Sequence, residues 1–585
     1  MKRFGYPVAP PPARPVAHKK ILLLLAAAAC FVFALMLALG WWLHIRRKPA
    51  ETAAAVCGGA FDLVIRGGTV LDGLGHPPAQ TDVGVRGGRI ACVGSIKETG
   101  AARVIEAAGL VVAPGFIDVH THVERTLPEG AKPFLAPNFV RQGVTTLITG
   151  NCGTSRLDVG AMLARLDRSG SQVNVATFVG HNSVRRNVMQ REGRAPTPQE
   201  MDRMKHLVAA AMDGGALGLS TGLAYVPGAY ASREEVVELA RVAAQKGGFY
   251  VSHIRDEGVN GYDAVAEAIS VGESAGLPVH ISHFKASGRS QWGTAPLRLG
   301  LVDDALRRGM RVTIDQYPYT ASSTSLDIML PSWALAEESS RVAARLRDPQ
   351  VHARVLADML AQLRRSGWDD YKFARIVYCP SNLALNGLTI PQASEKQFAA
   401  PVASGHVQHV SAQSGEPSVE RQAEAILDLI AHGGAQMIYF DMDEQDVTAI
   451  MRHPDTMFGS DSSVRGEDTQ AVPHPRGFGT FPRVLASYVR ENHTLTLEEA
   501  IRRMTSLPAH IFGLGQRGQI APGFWADLVI FQEQSIGDRA TYDNPLIPPV
   551  GISDVIVNGG VVFEDGHLTG ATPGRAIRHD PINPR

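Results

Sequence analysis

Eight short runs of this chain are built almost wholly from apolar and β-branched residues, and the stretches between them are long enough for helices. The runs are Phe116–Val119, Thr145–Thr149, Asn174–Val179, Leu217–Ser220, Tyr250–Ser252, Val279–Ser282, Arg311–Ile314 and Met457–Ser460. Strands without polar alternation are buried on both faces. Amphipathic stretches between them predict parallel strands joined by crossover helices. Eight such strands are the number that closes a (β/α)8 TIM-like barrel, an α/β fold.

Helix starts support the alternation. Thr197-Pro-Gln-Glu200, Ser232-Arg-Glu-Glu235 and Thr496-Leu-Glu-Glu499 each have the spacing of a capping box, and Pro198 falls in a first turn. The gap between the seventh and eighth runs is too long for one helix, so an insertion is expected at about 320–445, over the barrel mouth. The barrel with its insertion takes 114–518. On either side, 61–113 and 519–575 read as short alternating strands with paired glycines at Gly67-Gly68 and Gly87-Gly88, which predicts a small β-sandwich built from both chain ends. Residues 576–585 read as a tail.

Residues 1–20 are basic and rich in proline, and read as an extended tail. From Ile21 to Leu43 no residue is charged, and a helix of that length spans about 35 Å, enough for a hydrocarbon core of about 30 Å. Five basic residues precede this run and Arg46, Arg47 and Lys48 follow it, which favours an inside N-terminus. The expectation is a single-pass anchor, a linker over 44–60, and a catalytic part on the outer, periplasmic or extracellular, side. A cleaved signal peptide fits less well, because the apolar run is long and no small-x-small site follows it. Lipid attachment at Cys57 is disfavoured by the bulky Val56.

The whole chain carries 57 basic and 57 acidic residues. Eight of the basic ones flank the anchor and no acidic residue precedes Glu51, so the remainder is net acidic by eight. Nucleic acid is therefore not an expected partner. Five cysteines, scattered over the length, do not read as a disulfide framework.

In a barrel, polar residues at the C-terminal ends of the strands build the site. Here those ends carry His120-Thr-His122, Asn151-Cys152, His253, His283 and Asp461, and six of these side chains are metal-ligand types. A lone histidine after an apolar run is usually structural. So many ligand types on one rim are not.

The residues around these ends resemble the amidohydrolase superfamily and, within it, the N-acyl-D-amino-acid deacylases (D-aminoacylases). The resemblance runs from about 61 to 570. It is carried by Pro114-Gly-Phe-Ile-Asp-Val-His-Thr-His122, Gly150-Asn-Cys-Gly153, Gly180-His-Asn-Ser-Val-Arg185, Ser252-His-Ile-Arg-Asp-Glu257, His280-Ile-Ser-His-Phe-Lys285, Gly459-Ser-Asp461 and His474-Pro-Arg476. It implies a zinc ion held tightly by Cys152, His253 and His283, and a second, weaker position at His120, His122 and Asp461. A thiolate with two imidazoles suits zinc and leaves a fourth position for water.

The resemblance further implies Asp461 as the catalytic base, taking the proton of the attacking water and returning it to the leaving amine. It places Arg476 on the substrate carboxylate and Tyr225, Tyr317 and Ser323 around the same pocket. The substrate is then a small N-acyl-D-amino acid or a short acylated D-residue peptide, cleaved to a D-amino acid and a carboxylate. Arg255 reads as a structural ion pair with Asp256 or Glu257. A cyclic-amide hydrolase of the hydantoinase or dihydroorotase kind is a second reading, disfavoured because Lys285 is the one lysine near a strand end. A third is an inactive, surface-displayed binding module, disfavoured by the complete ligand set. Oligomeric state leaves no signal in the sequence.

Overall fold

The computed structural model describes residues 56–97, 100–127, 129–335, 339–399, 417–466 and 469–580. The expected anchor at 21–43 and the flanking 1–20 and most of 44–60 lie outside the described residues. Among the described residues, no helix is long and apolar enough to cross a membrane.

The barrel strands, in chain order, are β1 (Phe116–Asp118), β2 (Val144–Thr149), β3 (Asn174–Thr177, continued by Val179–Gly180), β4 (Gly218–Gly222), β5 (Phe249–His253), β6 (Val279–Ile281), β7 (Val312–Gln316) and β8 (Thr456–Phe458). Every neighbouring pair is parallel. Beyond β8, the chain returns to β1 through Asp461 N–H to the His120 carbonyl at 2.8 Å and His122 N–H to the Ser462 carbonyl at 2.8 Å. These bonds bring the first and last strands together just beyond their C-terminal ends.

The strands lack polar alternation because both faces are buried. Phe116, Leu147, Val175, Tyr250 and Phe458 join the large core shared with the helices, whereas Ile117, Ile148, Ala176, Val251 and Met457 cluster with Phe512. The three expected N-caps all form, with Thr197, Ser232 and Thr496 accepting from the backbone N–H three residues on. Each such cap stabilises its helix by about 1 kcal/mol. The reciprocal half of the box is made by Glu200, while Glu235 turns instead to His181 at 3.0 Å.

Between β7 and β8 the inserted segment builds its own antiparallel sheet, ordered Ser322–Ser325, Gln436–Tyr439 and Ala374–Tyr378, over a separate apolar core. The two end segments share one hydrogen-bonded sheet rather than the two sheets of a sandwich, because Val111–Pro114 pairs directly with Leu528–Phe531. The stretch from Ala576 is not a free tail as far as Asp580. Ile577 N–H donates to the Val175 carbonyl at 2.8 Å, and Ile577 is buried at the start of β3. Cys57 and Cys92 form a disulfide, although the five scattered cysteines do not read as a disulfide framework in the sequence. Cys152 and Cys379 are free and buried.

Candidate metal centre

The parallel register brings the ends of β1, β2, β5, β6 and β8 to one rim, so side chains far apart in sequence converge. Cys152 is at the middle. Its Sγ lies 3.4 Å from His120 Nε2, 3.6 Å from His253 Nδ1 and 3.5 Å from His283 Nε2. His253 Nδ1 and His283 Nε2 are 2.7 Å apart. On the other side, Asp461 Oδ1 lies 3.0 Å from His122 Nε2 and 3.7 Å from His120 Nε2. Three overlapping groups, His120–His122–Cys152, Cys152–His253–His283 and His120–His283–Asp461, have donor atoms within 4.8 Å of one another. The site opens on the side of His122, whose side chain is 26% exposed, and Asp461, at 11%.

The local backbone is bent to make this convergence. Cys152, His283 and Asp461 have φ of 51°, 33° and 50°, in the left-handed region that side chains other than glycine rarely enter. Two glycines make room for them. A Cβ on Gly222 would sit 2.3 Å from the Cys152 carbonyl oxygen, and one on Gly459 would sit 2.4 Å from His120 Cβ.

The charges suit a metal ion. Burial pushes the Cys152 thiol up, but the imidazoles of His120, His283 and His253 outweigh it and hold the thiol well below its ordinary range. Burial likewise works against ionisation of Asp461, and Arg476, His120 and His122 reverse it, keeping the carboxyl well below the usual range. A buried thiolate and carboxylate among imidazoles make a donor set that fits a thiophilic divalent ion such as zinc.

A layer behind these side chains holds them. Asp315 on β7 receives His120 Nδ1 and His280 Nε2. Asp118 Oδ1 accepts the backbone N–H of His120 and Ser460, and burial pushes its carboxyl up to about 7. Glu257 Oε1 lies 2.8 Å from His283 Nδ1 and accepts from Lys285 Nζ at 2.6 Å. Lys285 Nζ is 2.9 Å from His283 Nδ1, the ring nitrogen opposite the one facing Cys152, so it stands behind the histidine. Asp315, His280 and Glu257 were not among the residues expected at the site. An aspartate directly after the apolar run Arg311–Ile314, at a strand end like the others, was the available signal for Asp315.

Around the mouth, Arg476 Nη1 pairs with Asp461 Oδ2 at 2.9 Å, Nη2 donates to the Ser323 carbonyl at 3.2 Å, and the guanidinium lies 4.7 Å over the Tyr317 ring. Tyr225 packs its ring 4.5 Å from that of His253, and its hydroxyl accepts from Thr324 at 3.1 Å. Ser323 differs from expectation, since its hydroxyl donates to the Met437 carbonyl within the inserted sheet and its own carbonyl is what meets Arg476. Arg255 pairs with neither Asp256 nor Glu257. It makes a two-pronged ion pair with Glu267 at 2.9 and 2.8 Å, one helical element further on.

The model of the amidohydrolase family matches residues 103–563. The chain is 36% identical to the N-acyl-D-glutamate deacylase of Alcaligenes xylosoxydans xylosoxydans, over 89% of this chain and 97% of that one. It is similar to the solved N-acyl-D-glutamate deacylase of Bordetella bronchiseptica, complexed with zinc and a phosphonate inhibitor that mimics the tetrahedral intermediate, at 34% identity and a TM-score of 0.72, covering 89% of this chain and all of that one. A solved D-aminoacylase with a binuclear metal centre, described by one-metal activation and second-metal attenuation, is 34% identical with a TM-score of 0.71 over 89% of this chain.

Proposed function

Since the chain belongs to the amidohydrolase family, and its deacylase relatives match nearly its whole length, we propose that it hydrolyses N-acyl-D-amino acids to a D-amino acid and a carboxylate. The observation that carries this reading is the convergence of Cys152, His253 and His283 beside His120, His122 and Asp461 at the open end of the barrel. Cys152, His253 and His283 would hold one zinc ion, and His120, His122 and Asp461 a second. Zinc bound there supplies Lewis acidity, which polarises an amide carbonyl and makes hydroxide available near neutral pH.

The protein's own groups do the rest. Asp461, held ionised by Arg476, accepts the proton of the attacking water and returns it to the departing amine. Arg476 receives the substrate carboxylate, which takes the place of the Ser323 carbonyl at Nη2 and shares the guanidinium with Asp461. Tyr317, stacked under Arg476, and Tyr225, against His253, wall the pocket. A small cleft lies beside it, lined by His283, Lys285, Tyr317, Tyr319 and Met442. Because Lys285 is turned away from Cys152, nothing in the site favours the cyclic-amide reading.

Asp461→Asn tests the assignment. The variant is expected to keep the tight zinc and to lose turnover by about 100-fold or more. Full activity would refute it.

We also propose that the catalytic part faces an oxidising compartment, tethered through 21–43. The Cys57–Cys92 disulfide supports this, since such bonds persist outside the reducing cytosol, and it leaves no thiol at Cys57 for a lipid. Protease cleavage of the catalytic part in intact spheroplasts is the expected result, and protection until lysis would contradict it.

A further inference from the structure

Asp315 stands one residue from the end of β7, fully buried, with no contact to solvent or to the pocket. Its two oxygens are nonetheless spent on the histidines of the site. Oδ2 lies 3.2 Å from His120 Nδ1 and 2.8 Å from His280 Nε2, and Oδ1 accepts the backbone N–H of His283 at 3.0 Å. His280 is itself buried, and its Nδ1 meets Thr313 Oγ1 at 2.9 Å.

A carboxylate oxygen can only accept, so each ring nitrogen facing Oδ2 carries a hydrogen. His120 is then protonated at Nδ1, and its Nε2 lone pair is turned toward Cys152 Sγ at 3.4 Å and Asp461 Oδ1 at 3.7 Å. Resting on the two-position reading above, we propose that Asp315 is a positioning residue for the second metal position, fixing the tautomer and direction of His120. The bond to the His283 backbone ties the same carboxylate to the tight position, where the left-handed φ of 33° is held in place.

Asparagine at this position separates the two roles. Its amide oxygen can keep the bond from His283 N–H, but its amide nitrogen then faces His120 Nδ1 and His280 Nε2 as a donor. His120 must move its proton to Nε2, where no metal can bind. The test is zinc uptake by the metal-free full-length chain, titrated with zinc chloride against a chromophoric chelator, in wild type and Asp315→Asn. The expected result is one tight zinc of unchanged affinity in both and a second zinc bound tenfold or more weaker in the variant, with the unfolding midpoint of the metal-free protein little changed.

Equal second-zinc affinity in both chains would overturn the proposal, and so would parallel loss of both zincs with a lowered unfolding midpoint. A wild-type chain that takes up a single zinc would overturn the two-position reading itself, a distinguishable failure. If Asp315→Asn does not fold, long-range 1H–15N spectra of histidine-labelled wild type loaded with two zincs decide the matter. A hydrogen retained on His120 Nδ1 supports the assignment, and its absence refutes it.

Discussion

Three side chains of the site sit on backbone that resists them. A left-handed conformation costs a non-glycine residue about 1–2 kcal/mol, and Cys152, His283 and Asp461 all adopt it at strand ends on the same rim. The strain is held by bonds such as Asp461 N–H to the His120 carbonyl and His283 N–H to Asp315. In the proposed reading Arg476 links this strained set to the substrate, since the one guanidinium that keeps Asp461 ionised would also receive the substrate carboxylate. Arg476→Lys keeps the charge but loses the planar fork, so KM for an N-acyl-D-amino acid is expected to rise about tenfold or more, with a smaller fall in kcat. Steady-state kinetics on the purified variant check this, and an unchanged KM would remove Arg476 from substrate binding. At this scale the ligand-type side chains were legible, because each follows an apolar run where polarity stands out. The residues behind them were not. His280 lies inside an apolar run, Asp315 directly follows one but turns back onto His120 and His280, and Glu257 follows a charged loop in which Arg255 offered an equally plausible partner that the fold gives instead to Glu267.

At the scale of elements, eight strands came through from their apolar runs, and the insertion from its spacing. Its internal sheet did not. Ser322–Ser325 has no apolar residue, and its partner Gln436–Tyr439 follows it by more than a hundred residues, so neither periodicity nor proximity marked the pair. The seam between insertion and barrel closes at Asp441. Its carbonyl accepts from Gly288 N–H at 2.8 Å and Trp292 Nε1 at 3.1 Å, and its carboxylate accepts from Ser322. Burial pushes the Asp441 carboxyl up to about 6, although Lys285 pulls the other way. The folded protein therefore holds this proton more tightly than the unfolded chain, and the stability it contributes is present at pH 4 and lost as pH rises through 6. Asp441→Asn is expected to stabilise the fold by about 2 kcal/mol at pH 8 and little at pH 4.5, as read by urea unfolding. An equal effect at both pH values would contradict the assignment.

For the molecule as a whole, the two chain ends meet in one sheet, and the Cys57–Cys92 disulfide joins the beginning of the described chain to it. The pairing of those cysteines was not readable, because the spacing of five scattered cysteines depends on strands brought together by the fold. The end-domain texture was readable in its repeated glycine hairpins, whereas the docking of Ile577 under β3 left no local pattern. With the remainder of the chain net acidic, the proposed reading leaves the local cation Arg476 and a bound metal to draw in an anionic substrate. The central claim is a zinc-dependent hydrolysis of D-configured N-acyl amino acids. Its most direct test is amine release by the full-length chain from paired N-acetyl-D- and N-acetyl-L-amino acids, before and after zinc is removed by a chelator and restored. Hydrolysis of the D-substrates alone, abolished by chelation and recovered with zinc, is the expected result. Equal rates on both enantiomers, or activity that survives complete loss of the metal, would contradict it.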